Sequence, residues 1–388
     1  MQSHGDLLVC PETRIALREC SVEEAEEAMC GSSSLEWRKE GLPAAIGPTA
    51  RVMLREDLGC AYPIVDGVPV LLVPEMLFPK HTAQRFDLGD PMWAEAYEEM
   101  EHYNGVCVAE AMRLAAGTPS IIPSDTKQFH STFPYPTHIW LDAAHDASSQ
   151  LDCYLNLGDI RGKSIAQLGG KGLHAVKFLL AGAREAWVVT PMHGECIYAR
   201  QLARSFGVED QLHCVTAVGE QFPLKSDSLD GIFSGGCLHH MVTESVAREV
   251  HRVLRPGGRF SAVDPWQTLL HAVGTRLLGK REENVHCRPM NAARLVPFYD
   301  VFEHVSTRQH GPILRYLMIG GCKLLRKNLS ADIGYRIGRL EDAVFGHVPA
   351  LRRRGGSLAV LAAKGRDTEA IASVCSAASP TVVAGRTN

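Results

Sequence analysis

The sequence predicts an α/β protein built on a doubly wound parallel sheet. A short apolar run at residues 164–168 leads into a glycine-dense loop and then into a helix with apolar residues at helical spacing. Further strand, turn and helix units follow in order as far as Trp266. The last helix ends at RPGG, residues 255–258, because proline and glycine do not continue a helix. Ligands of such sheets bind outside the carboxyl ends of the strands.

The elements of this sheet are predicted one after another along the chain. The glycine loop, residues 169–172, precedes the first helix. Later strands are predicted from their apolar and β-branched residues at 186–190, 212–217, 228–234 and 259–263. One helix is expected at residues 196–206, and another where Val246, Val250 and Val253 share a face.

The composition limits the functional class. A chain of 388 residues allows two or three domains, and 45% hydrophobic with 22% charged residues is typical of a globular protein. The net charge of -4 does not favour nucleic-acid binding. The sequence shows no secretion signal and no apolar stretch that would span a membrane, so we expect a cytoplasmic protein. Its twelve cysteines form no CxxC pair and are expected to be reduced.

Five motifs, in this order, resemble those of class I S-adenosylmethionine (SAM) dependent methyltransferases, in the branch that includes quinone and small-molecule methyltransferases. They are QLGGKG at 167–172, EQFPL at 220–224, SLDGIFS at 228–234, CLHHM at 237–241 and EVHRVLRPGGRF at 249–260. The resemblance implies a Rossmann-like, seven-stranded methyltransferase domain over residues 158–364. Its sixth and seventh strands would lie at residues 301–310 and 357–363, with the last strand antiparallel.

The resemblance also implies SAM as cofactor and a set of residues that bind it. By position these are Gln167, Gly169, Gly170, Gly172, Thr190, Gly219 and Glu220. Three positions that are usually acidic in the family hold Gln167, Thr190 and Val218, and the glycine loop is one residue short. Charged acceptors make stronger hydrogen bonds than neutral ones, so these changes lower the expected affinity for SAM. Glu195, five residues beyond Thr190, is an alternative acceptor for the ribose.

Methyl transfer requires alignment of the two reactants and removal of a proton from the acceptor. His239 and His240 follow the fourth strand and Asp264 ends the fifth, so all three are predicted catalytic residues. The competing interpretation gives the histidine pair a structural role and gives Asp264 a role in the turn with Pro265.

Residues 1–75 resemble the small zinc-ribbon-like activator subunit of methyltransferases. The resemblance rests on DLLVCP at 6–11 and on LGCAYPIVDGVPVLLV at 58–73, where an Asp-Gly pair predicts a hairpin. A structural zinc needs four ligands, and here Cys10, Cys20, Cys30 and Cys60 are not arranged as CxxC pairs. Zinc is therefore not predicted, and the unit must be held by its own core or by packing on the catalytic domain.

Three further segments complete the chain. Residues 76–157 are predicted to be helical and rich in aromatic residues, which either pack against the sheet or, at 135–140, cap a substrate pocket. Residues 311–355 are predicted to be a helical insertion ending in three arginines, either a solvated surface or an anion site. Residues 365–388 have the composition of a disordered tail.

The sequence thus predicts a SAM-dependent methyltransferase acting on a small molecule, with a secondary metabolite as one candidate. Two alternatives stay open. The fold could serve metal-dependent chemistry through His174, His193, Glu195, His239 and His240. It could also be the non-catalytic partner of an active enzyme. A protein partner or a homo-oligomer is compatible with each interpretation.

Overall fold

The computed structural model describes residues 7–29, 36–37, 51–57, 59–72, 91–120, 122, 126–132, 136, 138–268, 289–326, 329–345, 347–348 and 354–365. Its strands are β1 Leu17–Ser21, β2 Glu36–Trp37, β3 Arg51–Arg55, β4 Cys60–Val65, β5 Val68–Pro69, β6 Ser164–Leu168, β7 Glu185–Thr190, β8 Leu212–Thr216, β9 Leu229–Gly235, β10 Leu254–Pro265, β11 His304–His310 and β12 Ser357–Ala363. Its helices are α1 Val22–Met29, α2 Pro91–Ala115, α3 Lys127–Thr132, α4 Ala147–Leu157, α5 Leu173–Leu180, α6 His193–Ser205, α7 Thr243–Val253, α8 Ala292–Val301, α9 Leu314–Leu325 and α10 Ala331–Phe345.

The central sheet has seven strands in the order β11, β12, β10, β9, β6, β7, β8. Neighbouring strands from β10 to β8 run parallel, whereas β12 is antiparallel to both β10 and β11. This arrangement confirms the predicted Rossmann-like methyltransferase sheet, including its antiparallel last strand. The predicted apolar face of α7 is also confirmed, because Val246, Val250 and Val253 are fully buried.

The N-terminal unit, residues 7–72, lies against the edge of the sheet formed by β8. The Leu71 N–H donates to the Thr216 carbonyl at 2.8 Å, and the Val9 N–H donates to the Pro223 carbonyl at 3.0 Å. Arg14 forms an ion pair with Glu249 of α7 at 2.8 Å. Because an uncovered edge strand exposes unpaired backbone groups, this docking protects β8.

Helix α2 packs on α6 and on the glycine loop. The Asn104 side chain accepts a hydrogen bond from the Gly194 N–H at 2.9 Å. A Cβ atom on Gly194 would lie 2.5 Å from the Asn104 carbonyl oxygen, so glycine allows the two helices to approach. Lys171 of the glycine loop pairs with Glu110 of α2 at 2.6 Å. Helix α2 therefore covers one side of the edge of the sheet at which the glycine loop lies.

Trp140 packs in the core rather than in a pocket. It is fully buried, and its ring meets Phe129 edge-on at 5.0 Å between centroids. Its carbonyl accepts a hydrogen bond from buried Lys177 at 2.8 Å, and Lys177 also pairs with Asp142 at 3.5 Å. This end of the 135–140 segment therefore supports α5. Tyr135, residues 269–288, the arginines at 352 and 353, Cys30 and residues 366–388 lie outside the described residues.

The predicted helical insertion contains α9 and α10, and a partly buried ion cluster attaches it to the sheet. His310 at the end of β11 contacts Asp152 of α4 at 2.8 Å and Asp342 of α10 at 3.0 Å. Arg308 reaches the same Asp152 at 2.9 Å. Burial alone would lower the pKa of His310, but hydrogen bonds and charges from Asp152 and Asp342 outweigh it and raise the pKa to about 9.

Replacing His310 with Gln should remove the cation shared by Asp152 and Asp342, leave Asp152 paired with Arg308 alone, and destabilise the protein by about 1.5 to 3 kcal/mol. Because the folded pKa near 9 exceeds the unfolded value of about 6.5, this stabilisation is complete below that lower value and is lost as the pH rises through about 9. Urea denaturation of both proteins across this range measures it. His304→Gln on the same strand is the control, and a pH-independent difference between His310→Gln and the parent would contradict the account.

Candidate functional site

The chain crosses from one face of the sheet to the other between β6 and β9, and the connections leave these strands in opposite directions. Such a switch point opens a crevice at the carboxyl ends of the two strands. Gly169 follows β6 and Cys237 follows β9. A Cβ atom on Gly169 would lie 2.9 Å from the Cys237 Cβ and closer still to its sulfur. The loops after the two strands therefore touch inside this crevice.

Gln167 braces the glycine loop from within the sheet. Its side-chain amide donates to the Gly169 carbonyl at 2.8 Å, and its side-chain oxygen accepts from the Ala175 N–H of α5 at 3.0 Å. The side chain is buried. An uncharged amide can donate and accept at once, which a carboxylate cannot do. Gln167 therefore holds the loop on the helix that follows it.

The glycines of the loop adopt positive φ angles of 74° at Gly169, 78° at Gly170 and 75° at Gly172, a region that other residues rarely enter. Gly172 faces the protein interior, because a Cβ atom there would lie 3.1 Å from the Val188 side chain and closer to Ala199. Gly170 is half-buried, and a Cβ atom on it would lie 3.2 Å from the side-chain nitrogen of Gln167. Of the three glycines, Gly170 is the one that is not fully buried.

Thr190 at the end of β7 is paired with Glu195 from the first turn of α6. The Thr190 hydroxyl donates to the Glu195 carboxylate at 2.5 Å and accepts from the Met192 N–H at 3.2 Å. Burial raises the pKa of Glu195, while hydrogen bonds from Thr190 and the Gly170 N–H and the charge of Lys171 oppose the rise. The carboxylate missing from the strand end is thus supplied beside the glycine loop by the next helix.

Gly219 and Glu220 support the walls of the crevice. A Cβ atom on Gly219 would lie 2.9 Å from the Leu168 side chain. Glu220 accepts a hydrogen bond from the Val242 N–H at 2.9 Å, immediately before α7, and burial raises its pKa. Both residues therefore join the end of β8 to neighbouring elements, and Val218 beside them is buried.

Asp264 and His239 form a hydrogen-bonded pair across the crevice. The Asp264 carboxylate is fully buried at the end of β10 and meets His239 Nδ1 at 2.8 Å. It also accepts from the backbone N–H groups of His239 at 3.0 Å and Leu238 at 3.3 Å. Burial raises the pKa of Asp264, and the hydrogen bonds and charge of His239 oppose the rise. With Nδ1–H directed at a carboxylate, Nε2 becomes the basic atom of the ring.

His240 lies beside this pair at the surface. It is exposed, and its ring centroid lies 4.0 Å from that of His239. The structure thus brings two of the three predicted catalytic residues into direct contact and places the third next to them.

Arg294 of α8 is a functional candidate that the sequence reasoning missed. Its guanidinium donates to the carbonyls of Leu238 at 2.8 Å and Met241 at 2.7 Å, and so holds the turn that carries His239. Asn291 caps α8 by accepting from the Arg294 N–H at 3.1 Å. The asparagine is the only local signal in the sequence, and it marks the start of the helix without indicating where the arginine points.

The histidines considered as metal ligands lie in separate pairs. His174 Nδ1 contacts the Tyr154 hydroxyl at 2.6 Å, and burial lowers the pKa of His174 to about 4. His193 Nδ1 contacts the Thr216 hydroxyl at 3.0 Å. Within the described ranges, no three His, Cys, Asp or Glu side chains converge in a way that would hold a metal ion.

Comparisons with known proteins agree with the fold. Residues 168–262 match the family model of a methyltransferase domain. No curated protein matches the chain. Among the residues that the structure describes, no helix has the length and apolarity needed to cross a membrane.

Solved structures with a similar fold have low sequence identity to this chain. A geranyl diphosphate methyltransferase in complex with SAM is 18% identical, with a TM-score of 0.41 over 57% of this chain and 85% of the other. A geranyl diphosphate C-methyltransferase from Streptomyces coelicolor A3(2) is 13% identical, with a TM-score of 0.42 over 57% and 77%. The [4+2]-cyclase SpnF is 17% identical, with a TM-score of 0.38 over 53% and 76%.

Proposed function

We propose that the protein is a SAM-dependent methyltransferase that acts on a small-molecule acceptor. One observation carries the proposal: Cys237 touches the glycine loop at Gly169, and two residues later His239 is held by buried Asp264. A cofactor-binding turn and an oriented general base thus share one crevice at the switch point of the sheet.

The residues of the crevice fit SAM, with the hydrogen-bond acceptor for the ribose coming from α6 instead of from the end of β7. Ribose hydroxyls require an acceptor near the glycine loop, and the Glu195 carboxylate lies there, bonded to Thr190 and to the Gly170 N–H. Gly235 and Gly236 at the rim are exposed, and no atom lies within 4 Å of a Cβ built on Gly236. Gly170 and Glu195 would hold the nucleoside, and SAM when bound supplies an electrophilic methyl group.

His239 is proposed to accept the proton of the acceptor at Nε2. Asp264 keeps the ring in the tautomer that leaves Nε2 basic and stabilises the imidazolium that forms. Because Asp264 is buried and receives three hydrogen bonds, it holds the ring without reorganising during the reaction. Arg294 holds the turn from the other side.

A small-molecule acceptor is preferred because of the net charge of the chain and the residues at the rim of the crevice. The chain has a net charge of -4, which does not attract a polyanion. The described rim contains the exposed residues Gly235, Gly236 and His240, and the lysine of the glycine loop, Lys171, is paired with Glu110 of α2. A protein located in the cytoplasm is part of the same proposal.

A second candidate is a methyltransferase fold that no longer uses SAM. In this structure the Gly169 N–H donates to the Val189 carbonyl at 2.8 Å, and the Gly172 N–H donates to the Gly170 carbonyl at 2.9 Å. The Gly170 N–H is bonded to Glu195. These three N–H groups of the loop therefore already have acceptors within the protein. In this second candidate, Glu195 occupies the Gly170 N–H that a ligand would otherwise bind.

Calorimetry with S-adenosylhomocysteine separates the two candidates. We expect saturable binding to the parent protein and an affinity lower by about tenfold or more for Glu195→Gln, because a hydrogen bond to a charged group is lost. Glu209→Gln is the control, since Glu209 is exposed and pairs with Arg204 in the last turn of α6, and its affinity should stay within about twofold. Absence of binding to the parent, or tighter binding to Glu195→Ala, would favour the second candidate.

Substitutions at the dyad test the proposed base. An acceptor is first selected by screening a panel of small molecules for release of S-adenosylhomocysteine. With that acceptor, His239→Gln should lower kcat by about 10²- to 10⁴-fold. Cofactor affinity should be retained. Asp264→Asn should also lower kcat, because the ring loses its anionic partner, whereas His240→Gln serves as the neighbouring control. Equal kcat values for His239→Gln and the parent would remove His239 from the mechanism.

A further inference from the structure

The helical insertion exposes apolar side chains along both of its helices. Of the twelve large apolar side chains that are exposed among the described residues, eight lie between residues 313 and 348. Six of these follow helical spacing, and their surface is called the insertion face: Ile313, Leu317 and Leu324 on α9 or directly before it, and Ile333, Leu340 and Val344 on α10. The exposed fraction is 65% at Leu317 and 84% at Leu324. Exposed apolar stripes of this kind mark interaction surfaces.

The opposite sides of the two helices are packed against the rest of the protein. Arg315 of α9 is buried and pairs with Asp146 at 3.0 Å. Glu341 of α10 is also buried, and it accepts a hydrogen bond from the Ile313 N–H at 2.6 Å. This bond joins the start of α9 to the part of α10 that carries Leu340. Each helix therefore has one packed face and one face that is left to solvent.

The insertion carries a local excess of positive charge. Residues 311–355 contain nine lysines and arginines but three acidic residues, although the whole chain has a net charge of -4. Two of the acidic residues are engaged inside the protein, Glu341 as described and Asp342 with His310 at 3.0 Å. Negative charge on the solvent side of the described helices is therefore left to Asp332.

Three exposed arginines border the insertion face. Arg326 directly follows α9, while Arg336 and Arg339 lie on α10 beside its apolar stripe. Arg336 pairs with Asp332 at 3.1 Å. Among the described residues, the other two arginines have no carboxylate partner. Long basic side chains next to an apolar stripe can cover it with their stems while their charged ends reach anions.

We propose that the insertion face docks on a membrane surface that contains anionic lipids. A helix with an apolar stripe and basic flanks lies in the plane of such a surface, with its apolar side chains between headgroups and acyl chains. The arginines would bind lipid phosphates. Anionic lipids are found in the cytoplasmic leaflet, so this docking is compatible with a cytoplasmic protein that has no membrane-spanning helix. The proposal does not depend on the methyltransferase function.

A second copy of the chain fits the insertion face less well. In a symmetric dimer the same surface patch is used by both subunits. The arginines at 326, 336 and 339 of one copy would then approach those of the other, and like charges repel each other. An anionic lipid surface supplies the opposite charge instead.

Co-sedimentation of the full-length protein with lipid vesicles tests the proposal. One set of vesicles contains about three parts phosphatidylcholine to one part phosphatidylglycerol, and the other contains phosphatidylcholine alone. We expect the protein to sediment with the anionic vesicles, to bind the neutral ones at least about fivefold less, and to dissociate as the salt concentration rises.

Variants assign this binding to the insertion face. Leu317→Ser combined with Leu324→Ser removes two exposed apolar side chains and should lower vesicle binding by about tenfold or more. Arg326→Gln combined with Arg339→Gln should lower binding to the anionic vesicles by about 20-fold, because each arginine contributes about fivefold near an anionic surface. All four side chains are exposed, so the variants are expected to fold, and circular dichroism checks this.

Met112→Ser combined with Arg113→Gln is the matched control, since both residues are exposed on α2 and binding should equal that of the parent. The proposal is overturned if the parent does not sediment with the anionic vesicles, or if the parent and both insertion variants bind equally. It is also overturned if light scattering shows a dimer of the parent that Leu317→Ser with Leu324→Ser converts to a monomer. In that case a second copy covers the insertion face.

Discussion

The arrangement of the crevice depends on one buried carboxylate. Asp264 lies at the end of β10, where a charge without partners would cost several kcal/mol. The cost is offset because Leu238 and His239 direct their N–H groups at it and His239 adds its ring. These three bonds fix the turn after β9, and that turn places Cys237 against Gly169.

The same turn is also held by Arg294, whose guanidinium donates to the carbonyls of Leu238 and Met241. An anion on the N–H side and a cation on the carbonyl side align the peptide dipoles of the turn. The position of His239 is therefore determined by two elements, β10 and α8, that are far apart in the sequence. Such support from rigid elements is what a catalytic group requires.

Around the glycine loop, the polar contacts differ from those that the methyltransferase motifs imply. Gln167 binds both the loop and α5 with one neutral side chain, and the carboxylate lies on α6 at Glu195 instead of at the end of β7. The crevice thus has one acidic side chain near Gly170, and this side chain comes from α6 instead of β7. Lys171 is paired with Glu110 of α2, so an ion pair joins this helix to the loop.

The sequence predicted the sheet because its strands are continuous apolar runs separated by glycine and proline turns, a pattern set by local residues. It also predicted His239 and Asp264 individually, from their positions after strands. Their pairing was not predictable, since 25 residues separate them and only the register of β9 and β10 brings them together. The bracing roles of Gln167 and Glu220 were likewise hidden, because a motif gives a residue's position and not the direction of its side chain.

Boundaries were less accurate than the elements themselves. The helix predicted at residues 196–206 begins at His193, so Glu195 lies in its first turn. The strand predicted at residues 259–263 extends over Leu254–Pro265. Helix α8 was not anticipated, since Pro297 lies inside it. Tertiary packing stabilises such segments beyond what local propensity indicates.

The most direct measurement of the central claim is a crystal structure of the protein with S-adenosylhomocysteine at millimolar concentration. The account predicts density for the nucleoside in the crevice, with the ribose hydroxyls at Glu195 and the sulfur facing His239. A crevice without ligand density, in which Glu195 remains bonded to Thr190 and Gly170, would contradict it.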